Sequence, residues 1–157
     1  MINLSKLSLG IELGSTRIKG VLIDDGGNVL SVGNHDWENQ LVDGIWTYDL
    51  EDMWEGVQDV YFQIKTDVEN RYKIKLETVG SIGFSAMMHG YLPFDKKANL
   101  LVPFRTWRNA ITAEAEKKLT SLFKHNIPQR WSIAHLYQAI LNEEEHVSDV
   151  DFLTTLA

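Results

Sequence analysis

The 157-residue chain contains no cysteine. Disulfides, zinc–thiolate sites, iron–sulfur clusters and cysteine nucleophiles are therefore excluded, and reducing cytoplasm is the expected compartment. The opening MINLSKLSLGIEL lacks the basic region, the long apolar run and the small-residue cleavage site of a secretory signal. No later stretch approaches the roughly 18 consecutive apolar residues of a membrane span. Positive charge is in deficit, with 15 Lys and Arg against 22 Asp and Glu and a net charge of −7. This balance favours solubility and works against phosphate backbones and anionic membranes, so neither nucleic acid nor membrane is expected as a partner. No P-loop, G-x-G-x-x-G, G-x-S-x-G or H-E-x-x-H motif is present. The histidines His35, His89, His125, His135 and His146 show no metal-ligand spacing on a common helix.

What remains is a globular composition, 44% hydrophobic and 24% charged, at a length able to bury a core without staples. Leu7, Leu9, Ile11 and Leu13 alternate with Ser8, Gly10 and Glu12, the period of a half-buried strand that carries Glu12 on its outer face. Gly14-Ser15-Thr16 predicts a tight turn into a second strand over Ile18 to Ile23. Asp24-Asp25-Gly26-Gly27-Asn28 predicts another turn, into a third strand over Val29 to Val32. Asn34 to Thr47 has no clear period and reads as a loop packed by its own aromatics. Leu50, Met53, Trp54, Val57, Val60, Tyr61, Ile64 and Val68 then fall at helical steps, with Asp49 placed as the cap. Thr78 to Ser85 suits a buried strand returning parallel to the first sheet. A hairpin is expected to end in Leu100 to Phe104. A helix over Ala113 to Phe123 follows, capped by Thr112, and then one carrying Ile133, Leu136, Tyr137, Ile140 and Leu141, capped by Ser132. Glu143-Glu144-Glu145 reads as a solvated helix end. There is no Pro/Ser-rich linker or internal repeat, and the order of elements implies an α/β fold.

The strongest chemical signal is Gly10-Ile11-Glu12-Leu13-Gly14-Ser15-Thr16-Arg17-Ile18-Lys19-Gly20-Val21-Leu22-Ile23-Asp24. Two glycines bracket a carboxylate at a strand end. The turn offers backbone N–H groups and two hydroxyls that can surround phosphate oxygens, and the carboxylate can hold Mg²⁺ through water. On spacing alone, a surface hairpin with a chance carboxylate explains the segment equally well. Trp37, Trp46, Tyr48 and Trp54 read as packing, with Trp37 or Trp46 in position to border a pocket.

The strand, acid-x-Gly-Ser/Thr turn, basic strand and third strand resemble the first phosphate motif of the actin, heat-shock chaperone and sugar-kinase superfamily, in the form found in FGGY carbohydrate kinases. Ser85-Ala86-Met87-Met88-His89-Gly90, followed by Leu100 to Phe104 and Arg105-Thr106-Trp107-Arg108-Asn109, resembles the xylulose-kinase branch. There a Met-His-Gly loop and a Trp-x-Asp/Asn element line the sugar pocket. The resemblance implies a ribonuclease-H-like α/β fold, a three-stranded meander followed by α/β units. It implies ATP and Mg²⁺ as cofactors, with Gly14, Ser15, Thr16 and Lys19 at the phosphates and Glu12 at the metal. Met88, His89, Trp107, Arg108 and Asn109 are implied at a sugar such as a ketopentose. Glu12 departs from the Asp of the family motif, which puts metal geometry in question.

FGGY kinases are two-domain proteins, and the resemblance implies that residues 1–157 form part of the first domain, without the nucleotide-binding second domain. The catalytic Asp base is expected beyond Ala157, so no catalytic residue is assigned in this chain and the isolated chain is expected to be inactive. A non-catalytic sugar-binding or interaction module and a superfamily ATPase without a sugar substrate stay open as alternatives, as does a homodimer.

Overall fold

Among residues 2–157, which a computed structural model describes, the strand and helix periods become nine strands and three α-helices. In chain order these are β1 (Ser8–Leu13), β2 (Arg17–Ile23), β3 (Val29–Asp36), β4 (Gln40–Val42), β5 (Ile45–Thr47), α1 (Leu50–Tyr72), β6 (Ser81–Ala86), β7 (Gly90–Phe94), β8 (Arg105–Thr106), α2 (Ala113–Phe123), α3 (Ser132–Leu141) and β9 (Phe152–Thr154). Short 3₁₀ turns occupy Leu4–Lys6 and Glu145–Asp149. They form two compact units, one of residues up to Glu38 with Leu50–Ala86, the other of Asn39–Asp49 with Met87–Ala157. No helix among the described residues is long and apolar enough to cross a membrane.

The first unit is a four-stranded sheet in the order β3-β2-β1-β6, with β1 antiparallel to β2 and parallel to β6. Alternation decides which face is buried. Leu9, Ile11 and Leu13 of β1 and Ile18 and Leu22 of β2 are buried, as are Met53, Val60, Ile64 and Val68 of α1, which packs on β2 and β3. Burying such side chains stabilises the fold by roughly 1.5–3 kcal/mol each. Glu12, Arg17 and Lys19 are left on the open face. The Asp24 carboxylate accepts hydrogen bonds from the N–H groups of Gly26 and Asn28, at 2.9 and 2.8 Å, closing the predicted second turn.

Several expectations need correction here. The third strand runs on to Asp36, because β2 continues to pair with it through Arg17↔Asp36 and polar side chains serve its outer face. Ser81–Ala86 is parallel to β1 as expected but exposed, being the sheet's edge strand. Ile82 and Phe84 share a face with Leu9 and Ile11 and border an apolar groove of about 500 Å³ with Val57 and Tyr61 of α1. Trp54 lies on the outer side of α1 and is exposed, so it does not pack.

In the second unit the supposed loop contains the β4–β5 hairpin, turned by Asp43 and Gly44, both at positive φ (49° and 81°). An Asp-Gly pair is the residue choice that a tight hairpin turn requires. A three-stranded sheet has the order β8-β7-β9, and α2 and α3 pack through Leu119, Ile127 and Ala134, with Trp131 and Tyr137 against them. Thr112 takes the N-cap position of α2, its carbonyl accepting the Glu116 N–H at 2.9 Å, but its hydroxyl makes no cap bond and donates instead to the Gln129 carbonyl at 2.7 Å. Ser132 is the first residue of α3 rather than its cap, and its hydroxyl donates to the Gly90 carbonyl.

The acidic run is not wholly solvated either. Glu144 is ion-paired with Arg105, whose side chain is only 10% exposed. Tyr91 stacks on buried His135, donates or accepts a 2.8 Å hydrogen bond at His146 Nε2, and has the Arg105 guanidinium 5.3 Å from its ring centroid. Burial pushes the Tyr91 hydroxyl up to about 12 and the His135 ring down to about 4.

Candidate functional site

Two groups of residues singled out in the sequence fall in different units. In the first unit, the turn between β1 and β2 is closed by the Gly14 N–H donating to the Arg17 carbonyl at 3.0 Å. A Cβ at position 14 would lie 2.8 Å from that carbonyl oxygen, so glycine is required by the closeness of the chain to itself. Trp37, buried just past β3, clasps the turn twice. Its indole N–H donates to the Gly14 carbonyl at 2.7 Å and its backbone N–H to the Thr16 carbonyl at 3.3 Å. Sequence reasoning treated Trp37 as packing or a pocket border; it positions the hairpin, and a lone Trp in a polar stretch carries no sign of that.

Ser15 and Thr16 are exposed at the tip. Glu12 and Lys19 face each other across the strands at 3.3 Å, each about half exposed. A carboxylate beside an ammonium suits a hydrated cation accompanied by phosphate, one charge for each. Among the described residues no group of three or more acidic, His or Cys side chains is arranged to hold a bare metal ion. The donor set therefore fits a metal that arrives already complexed and keeps its water.

In the second unit, the Met88-His89-Gly90 loop leads into β7. Gly90 has φ +141°, and a Cβ there would lie 2.5 Å from the Phe104 ring, so the loop geometry excludes other residues. Met88 is 71% exposed. The His89 ring stacks on Trp131 at 6.5 Å between centroids, and Trp131 sits at the start of α3. Burial lowers the His89 pKa, and the nearby Arg130 charge lowers it further, so the ring is neutral at pH 7 with one nitrogen to donate and one to accept.

The Trp107-Arg108-Asn109 segment follows β8. Trp107 is 43% exposed, and Arg108 lies over the Trp46 ring with its guanidinium carbon 3.9 Å from the centroid. Asn109 is buried and fully engaged as a donor. Its amide donates to the carbonyls of Trp46 (2.7 Å) and Thr106 (3.0 Å), and its oxygen accepts the Trp46 N–H at 2.8 Å. These three residues line a hollow of about 440 Å³ together with Glu116, Gln129 and Arg130. Arg130, which sequence reasoning did not single out, thus borders the hollow and also stands close to His89. Its only sequence signal is proximity to Pro128, which opens the turn before α3.

The family model described as the FGGY family of carbohydrate kinases, N-terminal domain, matches residues 7–139. No curated protein matches the chain by sequence. Solved structures with the same fold include a xylulose kinase from Rhodospirillum rubrum, with a TM-score of 0.80 and 14% identity over 94% of this chain and 32% of that one. A xylulose kinase from Brucella ovis gives a TM-score of 0.78 at 16% identity, covering 94% of this chain and 32% of that one. For a gluconate kinase from Lactobacillus acidophilus the values are 0.76 and 20%, covering 94% of this chain and 30% of that one. The chain spans about a third of the length of these structures, and it shares their ribonuclease-H-like α/β fold.

Proposed function

The chain belongs to the FGGY family of carbohydrate kinases, and from that premise we propose that it serves ATP-dependent phosphorylation of a ketopentose such as xylulose, or of a related sugar, in the cytoplasm. The observation that carries the sugar site is the hollow beside Trp107, close to which the His89 loop also comes through Arg130. Met88 and His89 meet the sugar from the loop before β7, and neutral His89 exchanges hydrogen bonds with a hydroxyl. Trp107 offers an apolar face to the C–H side of the ring or chain, and Arg108 donates to its oxygens. Asn109, whose donors are committed, acts by holding Trp46 and through it the Arg108 platform.

Gly14, Ser15, Thr16 and Lys19 take the ATP phosphates, with the turn held in shape by Trp37. Glu12 would meet Mg²⁺ through water, and the bound ion would offset charge on the phosphate oxygens. We assign no residue of the chain as the general base, so the 157 residues alone bind without turning over.

Thermal unfolding in the presence of D-xylulose tests the reading. The sugar raises the melting temperature of the chain, and His89→Ala removes that shift. An unchanged shift in the variant takes His89 out of the site. ADP release from the chain with ATP, Mg²⁺ and D-xylulose stays at background; turnover in the range of ordinary enzymes, about 1 to 10³ per second, overturns the assignment of no base.

A further inference from the structure

The four-stranded sheet of the first unit ends in two edge strands, β3 and β6, and the fold treats them differently. Along β3, side chains of α1 take up outward-pointing backbone groups. The Gln63 side-chain oxygen accepts the Asn34 N–H at 3.1 Å, its amide donates to the Asn34 carbonyl at 2.9 Å, and the Arg71 guanidinium donates to the Leu30 carbonyl at 2.8 Å. Cover of this kind blunts an edge against further pairing. The β6 edge has none. The Ser81 N–H donates to the Leu7 carbonyl at 3.2 Å, so Ser81, Gly83 and Ser85 turn their backbone groups towards β1. The backbone groups of Ile82 and Phe84 therefore point outward, and among the described residues no side chain bonds to them. The other protective devices are missing as well. From Thr78 to Met88 there is no charged residue and no proline, and β6 runs in unbroken register with β1.

We propose that β6 is a self-association strand, pairing antiparallel with β6 of a second copy of the chain about a two-fold axis at Gly83. The strand is symmetric in kind, since Ser81 and Ser85 flank Ile82 and Phe84, which in turn flank Gly83. A two-fold contact asks this of a strand, because the same surface must complement itself. With Gly83 opposite Gly83, Ile82 of each copy lies opposite Phe84 of the other. These are the residues whose N–H and C=O groups face outward, so each such pair exchanges both backbone hydrogen bonds. The same register sets the Ile82 and Phe84 side chains, 55% and 64% exposed, against each other on the groove side, a β-branched and aromatic pairing that sheets favour. Ser81 meets Ser85 on the opposite face. Gly83 adds an independent sign. A Cβ there would touch nothing within 4 Å, so packing within one copy does not call for glycine. Opposite its own counterpart, in the closer type of antiparallel pair with Cα atoms about 4.5 Å apart, a small residue is suited. Charge agrees. The net charge of −7 sets two copies against each other, and the uncharged run from Thr78 to Met88 is a stretch that brings no like charges together.

Analytical ultracentrifugation of the chain between about 1 and 100 µM tests the proposal. It shows a concentration-dependent monomer–dimer equilibrium, and hydrogen exchange at the Ile82 and Phe84 amides slows as the dimer fills. Gly83→Glu and Gly83→Lys each place like charges opposite one another and weaken association about tenfold or more. Mixing these two variants restores a heterodimer. Both keep the melting temperature of the monomer, because position 83 has open space around it. Gly83→Ser, which adds bulk without charge, still pairs. A chain that stays monomeric throughout the range overturns the proposal and gives the edge to a different polypeptide segment. Dimers that survive Gly83→Glu unchanged overturn it by moving the contact to another surface. A mixture of the Glu and Lys variants that fails to associate overturns the register at Gly83 and the proposal with it. Assembly beyond the dimer does the same, since a two-fold pairing of β6 closes on itself.

Discussion

Asn109 and Trp46 are joined by a reciprocal pair of hydrogen bonds, the Asn109 amide donating to the Trp46 carbonyl at 2.7 Å and its oxygen accepting the Trp46 N–H at 2.8 Å. One side chain thereby substitutes for a strand neighbour beside β5, and Arg108 rests on the ring so fixed. Asn109→Asp keeps the shape but loses the donor, leaving a carboxylate against the carbonyls of Trp46 and Thr106. Each buried group left unpaired costs about 1–3 kcal/mol. Urea unfolding should show Asn109→Asp destabilised by at least that much, and more than Asn109→Ser, which can still donate once. Equal stability of the Asn109→Asp variant and the wild type would mean that the reciprocal pair does not hold the segment.

Arg105 and Glu144 form an enclosed ion pair, with side-chain exposures of 10% and 24%. Burial alone would raise the Glu144 pKa, but the hydrogen bonds and charge of Arg105 outweigh it and hold the carboxyl below its ordinary value. Removing one partner leaves the other charge enclosed, so Glu144→Gln should cost about 3–5 kcal/mol. The double replacement Arg105→Met/Glu144→Leu should recover much of that loss, because neither desolvated charge remains. Additive losses in the double-mutant cycle would show that the two side chains are not coupled.

His135 is completely buried in α3, and neither ring nitrogen has a hydrogen-bond partner among the described residues. Burial, reinforced by the Arg105 charge, pushes its pKa down to about 4. The unfolded chain takes up a proton near pH 6.5 and the folded one does not, so the His135 contribution is fully present above 6.5. It is lost as pH falls towards 4, by up to about 3 kcal/mol. His146 follows in the same direction, since burial lowers its pKa as well. Chemical unfolding between pH 7.5 and 4 should show this slope, and His135→Phe should flatten it. A slope unchanged in that variant would assign the acid sensitivity to His146 and Glu144 instead.

The fold was legible wherever one period dominated. Leu9, Ile11 and Leu13, and the apolar steps of α1, declare their buried faces because each element has a single partner layer. The β4–β5 hairpin was hidden by its short strands, although Asp43-Gly44 stated the turn. Thr112 stands at the N-cap of α2 as expected while Ser132 lies one residue inside α3, and neither hydroxyl makes a cap bond for one reason: a hydroxyl near a helix start also finds distant carbonyls, here those of Gln129 and Gly90. Glu144 was misread because an acidic run looks solvated until a buried arginine, 39 residues away in the chain, is brought to it. At the candidate site the residue types were readable from motifs, but which of them still has a free donor was not. Asn109 is committed, and Arg130 is left without an ion-pair partner, because of tertiary contacts that spacing does not encode.

The phosphate hairpin separates stability from chemistry. Glu12 and Lys19 are each about half exposed and 3.3 Å apart, and a pair in that setting contributes only about 0–1 kcal/mol. Glu12→Gln should therefore leave the unfolding midpoint nearly unchanged while weakening the Mg²⁺ dependence of ATP binding, read by titrating ATP with and without the ion. Trp37→Phe should do the reverse. It keeps the buried ring but leaves the Gly14 carbonyl without its 2.7 Å donor, costing about 1 kcal/mol and loosening the turn. Hydrogen exchange at the Gly14 amide, which is bonded to Arg17 at 3.0 Å, should then speed up in Trp37→Phe and stay slow in Glu12→Gln. Faster exchange in Glu12→Gln would mean that the carboxylate helps to build the hairpin instead of serving the ligand alone.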